Sequence, residues 1–311
     1  MAANVESMFS VRETPWHGLG TIIQDAPNSK EAIRLAGLDW RVDQSDVLCA
    51  DDGSVIEGYK TNIRSSDRKV LGMVTDRYRI VQNEEAFAFT DALLGEGVRY
   101  ETAGSLSSGR RVWMLARMEG KMITGEEVDP YLVFTNSHDG TGAIRVAITP
   151  VRVVCQNTLN LALNTAARQW SCIHVGRIED KMEEARHTLL NTNTYMNALE
   201  EEFGELKLQK MDVDKVREYI NMLIPVEEND SPRKKQNIEE LRTELMNRYL
   251  FAPDLMLVEH SAYRFVNAVS DFATHKMPKR TTANYQENLF MKTVDGNALI
   301  DKAYKMCAEA A

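Results

Sequence analysis

"PYLVFTNSHDGTGAIRVAITPVRVV", residues 130–154, decides the fold. Two runs rich in β-branched and aromatic residues flank a polar tip. Asp139-Gly140 and Thr141-Gly142 supply the positive backbone dihedrals that tight turns need. The stretch reads as strand, turn, strand, with His138 and Asp139 in the loop. A histidine beside an aspartate in such a turn is more often a local hydrogen bond than a catalytic pair.

Working outward, "VRYETAG" (98–104) and "RRVWMLARM" (110–118) form a second strand pair. "WRVDQSDVLCA" (40–50), "VIEGYKTNIR" (55–64) and "VLGMVTDRYRIV" (70–81) read as a meander, parted by the turn signals "DDGS" and "SSDRK". Asn28 to Leu35 is a short helix, with Asn28 as N-cap, Glu31 as its capping-box partner and Gly37 as its stop. "NEEAFAFTDALL" (83–94) is a helix opened by Asn83, with two acids in the first turn where they suit the dipole.

Beyond Cys155 the period becomes helical: Met182, Ala185, Leu189, Met196, Leu199 and Phe203 recur at helical spacing, as do Val258, Ala262, Phe265, Val269 and Phe272. The expected fold is α+β, with an antiparallel or mixed β-sheet in the N-terminal half packed with a mainly helical C-terminal half. The division falls into a strand-rich region 1–178 and a helical region 179–311. "IPVEENDSPRKKQN" (224–237) is a charged, proline-containing loop and the best candidate for a boundary or an exposed hinge.

The 311 residues are 43% hydrophobic and 27% charged, an ordinary globular composition. No run approaches the roughly 18 apolar residues of a membrane helix, and the start lacks a basic region followed by an apolar stretch. A cytoplasmic location and no membrane partner are expected. Cys49, Cys155, Cys172 and Cys307 are scattered, which suits reduced thiols.

Catalytic and metal chemistry find little support. Cys155 as nucleophile with His138 or His174 as base requires an exposed thiol. If residues 155–167 are helical, Cys155 instead joins an apolar stripe with Leu159, Ala162, Leu163 and Ala166. Cys172 and His174 form one close pair of metal-ligand type with no second pair to complete a zinc site. No phosphate-binding glycine motif is present. We expect no catalytic residue, no metal and no cofactor.

Binding residues are more numerous. Strand alternation puts Arg111, Trp113, Leu115 and Arg117 on one face of "RRVWMLARM" and Val112, Met114, Ala116 and Met118 on the other. An indole between two guanidinium groups is what single-stranded nucleic acid binders use, although arginine beside tryptophan on a half-exposed sheet also arises from snorkelling. Asn157, Asn160, Asn164 and Arg168 fall on one polar stripe of the expected 155–167 helix, able to meet phosphates or base edges or simply to face water. The net charge of -9 opposes general nucleic-acid affinity. Locally the balance differs: no Asp or Glu occurs from Gly140 to Ile178, where Arg145, Arg152, Arg168 and Arg177 fall.

"PWHGLGT" (15–21), "KEAIRLAGLDWRV" (30–42), "VLGMVTDRYRIVQNEEAF" (70–87) and "TNSHDGTGAIRVAITPVRVVCQNTL" (135–159) together resemble the phage/plasmid-like family known as domain of unknown function 932. The resemblance implies phage, plasmid or mobile-element origin and carries no catalytic residue with it. Strands followed by helices are also similar in architecture to the Rad-type single-strand annealing proteins of phages, though fold alone does not license function. The expectation is a non-enzymatic protein that binds single-stranded DNA, assists annealing or recombination, and forms a homo-oligomer. Trp113 would stack on bases, Arg111, Arg117, Arg145 and Arg152 would contact phosphates, and the asparagine stripe with Arg168 would hydrogen-bond. The alternative is a non-catalytic module that binds a host protein.

Overall fold

The computed structural model describes residues 5–11, 20–95, 98–152, 157–158, 169–189, 192–276 and 297–309. It is an α+β fold. The large sheet contains strands β1 (Val5–Val11), β2 (Thr21–Ile23), β6 (Arg99–Leu106), β7 (Arg111–Arg117), β9 (Glu126–Ser137), β10 (Ile144–Arg152) and β11 (Asn157–Thr158), in the order β11-β10-β9-β7-β6-β1-β2. Two short strands extend it: β8 (Lys121–Ile123) pairs with β9, and β12 (Gln169–Cys172) with β10. Every pairing in this sheet is antiparallel except β1 with β2, so it is mixed. The meander β3 (Val42–Leu48), β4 (Val55–Arg64), β5 (Val70–Thr75) forms a separate three-stranded sheet with β5 at its edge.

Local chemistry explains the first helices. Helix α1 (Ser29–Leu35) has the capping box expected of Asn28 and Glu31, and Gly37 leaves it at φ +63°. Helix α2 (Asn83–Leu94) is capped by Gln82 rather than Asn83, with Glu85 closing the box. Asn83 is displaced from that role because its buried side chain donates to the carbonyls of Leu38 (3.0 Å) and Trp40 (3.4 Å). These two helices cover one sheet face, where Phe9, Ala103, Val112, Met114, Ala116, Leu132, Phe134, Ile144, Val146 and Ile148 are buried. Arg64 clamps the small sheet to the large one, reaching Glu6 of β1 (2.7 and 2.9 Å) and Asp67 (2.6 and 2.9 Å) with its guanidinium 5.5 Å over Trp40.

From Ile178 onward the described elements are helical: α3 (Ile178–Leu189), α4 (Thr192–Leu208), α5 (Val213–Leu223), α6 (Pro232–Phe251), α7 (Ala262–His275) and α8 (Ala298–Ala308). Helix α7 is the axis of this half, and buried Arg264 uses its fork to satisfy the carbonyls of Tyr249 (2.7 Å) and Leu250 (3.0 Å) at the end of α6, plus Val258 (2.7 Å). The halves interlock: Ile123 and Val128 of the β8–β9 hairpin lie in the helical core, while Ile178 and Met182 of α3 pack on the sheet core.

Two expectations are corrected here. Asn157 and Thr158 continue the sheet by pairing with Val151 and Arg152, and Gln169–Cys172 is a strand, so helical periodicity does not begin at Cys155. The supposed helix 155–167 therefore fails at its start, and Asn160, Asn164 and Arg168 lie outside the described residues. Within "IPVEENDSPRKKQN", Ser231 caps and Pro232 opens α6, so the loop ends there.

Candidate functional site

The strand face chosen from alternation does not form an open platform. Its opposite side is core as expected, but Trp113 itself is 6% exposed, packed with Met8 and Leu106, and Val133, Ala147 and Thr149 on the same face are fully buried. A base cannot stack on a ring that is already covered, which overturns the stacking role of Trp113. Arg117 is spent on Asp129 at 2.6 Å, a carboxylate that is itself 3% exposed. Arg145 lies farther along, half-buried, in register with Thr135 of β9 and Ser171 of β12. Arg152 closes β10 opposite Asn157, and Arg177 pairs with Asp180 at 3.2 Å. Among the described side chains, Arg117 is paired and Arg145 lies at a different register, so they form no trough along the strands, and the side chains of Arg152 and Arg168 lie outside the described residues.

A different set of arginines, Arg77, Arg79, Arg110 and Arg111, belongs to the chain segments at one end of the sheet. There β6 stops, β7 starts, β9 stops, β10 starts and β12 stops, so the loops 107–110, 138–143 and 173–177 meet. The segment after β5 joins them through a bridge between Tyr78 and Val175 and a hydrogen bond from the Arg79 amide to the His174 carbonyl (2.8 Å). Glycine permits this crowding: a Cβ on Gly72 would sit 2.6 Å from Asp139 Cα, and Gly140 (φ +77°) lies against Val74.

Behind these loops is a buried polar cluster. Tyr78 donates to the Ser137 carbonyl (2.5 Å) and stacks on His174 with ring centres 4.5 Å apart. His174 Nδ1 faces the Arg79 carbonyl at 2.8 Å. A carbonyl only accepts, so this nitrogen carries the proton and Nε2 is left as a lone-pair acceptor. His138 is fully buried and its Nε2 meets Asn83 Oδ1 at 3.1 Å. Because the Asn83 amide nitrogen is committed to carbonyls, Nε2 is the donor and Nδ1 the acceptor. Asn136 gives its amide to the Val81 carbonyl (2.9 Å). His138 Nδ1, His174 Nε2 and Asn136 Oδ1 have no hydrogen-bond partner, three buried acceptors in one cluster.

Burial keeps both rings neutral: it pushes His138 down to about 3, with His174 adding to the effect, and lowers His174 as well. His138 and Asp139 do not pair. Asp139 accepts from the Ser137 hydroxyl (2.6 Å), the Thr141 amide (2.9 Å) and the Thr141 hydroxyl (2.6 Å). Its burial works against the charge, yet those bonds and nearby Arg111 outweigh it and hold the carboxyl below its ordinary range.

A pocket of about 390 Å³ opens beside this cluster, lined by Tyr59, Met73, Val74 and Thr75 of the small sheet, Tyr78, residues 140–143, and Ile173, His174 and Val175. Arg77 and Arg79, exposed, flank the lining residue Tyr78 in the chain, exposed Arg110 accepts from the His138 amide through its carbonyl, and Arg111 donates to Thr141 Oγ1 at 3.3 Å. Among the described residues none of Arg77, Arg79 and Arg110 has an ion pair. No three His, Cys, Asp or Glu side chains among the described residues are grouped to hold a metal ion. Burial pushes the Cys172 thiol up. The arrangement can grip a planar group and an anion.

A protein-family model described as Domain of unknown function (DUF932) matches residues 70–293, well over half of the chain. The chain belongs to the DUF932 family. No curated protein and no solved structure matches it. Tyr78, Asn83, Asn136, His138 and the Asp-Gly-Thr-Gly tip of this DUF932 protein all fall within the matched span. No helix among the described residues is long and apolar enough to cross a membrane.

Sequence reading singled out the hairpin tip and Arg111, weighed His174 only as a catalytic base or metal ligand and Asn83 only as a helix start, and missed Tyr78, Arg77, Arg79 and Arg110. Tyr78 and His174 lie 96 positions apart in the chain and meet only through the Tyr78–Val175 bridge. The available signal was the "DRYR" following β5, where polar residues interrupt an otherwise apolar strand end.

Proposed function

We propose that this DUF932 protein is a non-catalytic binder of single-stranded DNA, that the strand runs across the loop end of the large sheet, and that the protein serves annealing or recombination. The observation that carries the reading is that four arginines, Arg77, Arg79, Arg110 and Arg111, belong to the chain segments at the loop end that bears the pocket, against the ionised Asp139 held by its own loop. Asp76 is the other carboxylate of these loops, so the local balance stays positive. A local cationic rim on a protein of net charge -9 gives binding confined to one place, since the remaining surface repels phosphate.

Three phosphates neutralised on a single strand by Arg77, Arg79 and Arg110 give a log-log salt slope of about -2. Fluorescence anisotropy with a labelled oligonucleotide, from about 50 to 200 mM salt, is the test. The double variant Arg79→Glu/Arg110→Glu, both at exposed positions, is expected to remove most of the affinity without changing thermal stability. Absence of affinity at the lowest salt, or equal affinity of wild type and variant, refutes the reading and leaves a host protein as the partner to seek.

A further inference from the structure

We infer that the 390 Å³ pocket takes one nucleotide, base inward, with its phosphate at the arginine rim. The inference rests on the strand-binding reading and adds to it what the pocket recognises. Three observations converge. First, the pocket walls include Tyr59, Met73 and Ile173, which are 44%, 61% and 65% exposed, large apolar groups left uncovered, two from the small sheet and one from the loop after β12. Such surfaces suit the two faces of a flat ring. Second, His174 lines the pocket, is 3% exposed, and holds a lone pair on Nε2 with no partner. The Arg79 carbonyl fixes that tautomer, and Tyr78 stacked on the ring fixes its plane.

An orphaned buried acceptor calls for a donor, and a base offers an amino or ring N–H on the edge that enters first. Third, no arginine is among the lining residues, whereas Arg77 and Arg79 flank the lining Tyr78 and Arg111 bonds the lining Thr141, an order that suits a base inside and a phosphate outside. A volume of this size belongs to the range of small-molecule sites and exceeds what a bare ring needs, leaving room for the sugar. An apolar peptide side chain would leave His174 Nε2 unpaired, and a phosphate alone would find no donor beside the ring.

The experiment compares an intact oligonucleotide, an abasic strand of the same length, and free dAMP, each against the wild-type full chain and two variants. His174→Phe keeps the plane stacked on Tyr78 and removes the acceptor. Tyr59→Ala removes a partly exposed wall whose loss the fold tolerates. The abasic strand is expected to bind roughly tenfold more weakly than the intact one. Both variants are expected to lose about that factor toward the intact strand and almost nothing toward the abasic strand.

Equal affinity for intact and abasic strands overturns the pocket inference and leaves the strand reading standing. Saturable binding of dAMP together with no affinity for either strand supports the pocket as a free-nucleotide site and overturns the strand reading. Loss of affinity for both strands to the same degree in Tyr59→Ala, with unchanged melting temperature, likewise refutes the base-inward arrangement.

Discussion

His138 sits at the tip of the hairpin that organises the sheet, yet no part of it reaches water. Its ring touches the edge of Trp40 at 5.4 Å and donates to Asn83, while its backbone carbonyl accepts from Asn62 of the small sheet at 2.8 Å. One residue thus ties the large sheet, α2 and the small sheet together, on condition that the ring stays neutral. In the unfolded chain the same ring has an ordinary histidine pKa near 6.5, whereas in the fold burial holds it at about 3. Between those values the unfolded state binds the extra proton, so the contribution to stability is complete above about pH 6.5 and is lost progressively as pH falls toward about 3. At pH 5 the loss amounts to about 2 kcal/mol from this residue. Denaturant midpoints at neutral pH and at pH 5 should differ accordingly, and His138→Gln, which can still donate to Asn83, should narrow the difference. An identical acid response in wild type and variant would place the acid sensitivity elsewhere. That a histidine stands in the turn was legible in the sequence. Its burial was not, because the groups that enclose it come from positions 40, 62 and 83.

At the scale of elements, the site depends on how closely β5 presses against the hairpin tip. Gly72 makes that approach possible, since any Cβ there meets the backbone of Asp139 at 2.6–3.0 Å, and backbone cannot swing aside as a side chain can. Gly72→Ala is expected to cost about 1–3 kcal/mol and to weaken oligonucleotide binding by parting β5 from the loop. Gly204, within α4, has nothing within 4 Å of its Cβ position, so Gly204→Ala should stabilise the protein by about 0.5–1 kcal/mol. A Gly72→Ala protein as stable as wild type would refute the close packing. Elements with strong local signals were legible: the capping box of α1, the β6–β7 pair and the β9–β10 hairpin follow from caps, turns and alternation. Strands β1, β2, β8, β11 and β12 were not. Most have two to four residues, too few to display a period, and β1 earns its place by lying between β6 and β2, which are distant in sequence. Alternation correctly separated the two faces of β7. It could not reveal that Trp113 on the outer face is covered, because a strand buried on one side reads the same until its neighbours are known.

For the whole molecule, the halves meet at several places, and one of these is a small hairpin. Ile123 is fully buried, but among α4 and its helical neighbours and not within the sheet core, and Lys121 beside it pairs with Glu200 of α4 at 2.7 Å. The β8–β9 hairpin therefore acts as a peg from the sheet into the helical half. If that peg couples their unfolding, an Ile123→Asp substitution, which places a carboxylate in an apolar core, should uncouple them. The sequence supplies probes for each half. All four tryptophans, at positions 16, 40, 113 and 170, precede the helical region, so indole fluorescence reports on the sheet side. Six described helices lie from Ile178 onward, so helical circular dichroism reports mainly on the other. In wild type the two signals should be lost in one transition, as expected when halves share buried contacts. In Ile123→Asp the dichroism should fall first, by several kcal/mol, with fluorescence following at higher denaturant. Coincident transitions in the variant would mean that the halves are coupled by other contacts, such as those of Ile178 and Met182 with the sheet core, and that the hairpin is a passenger on the helical surface.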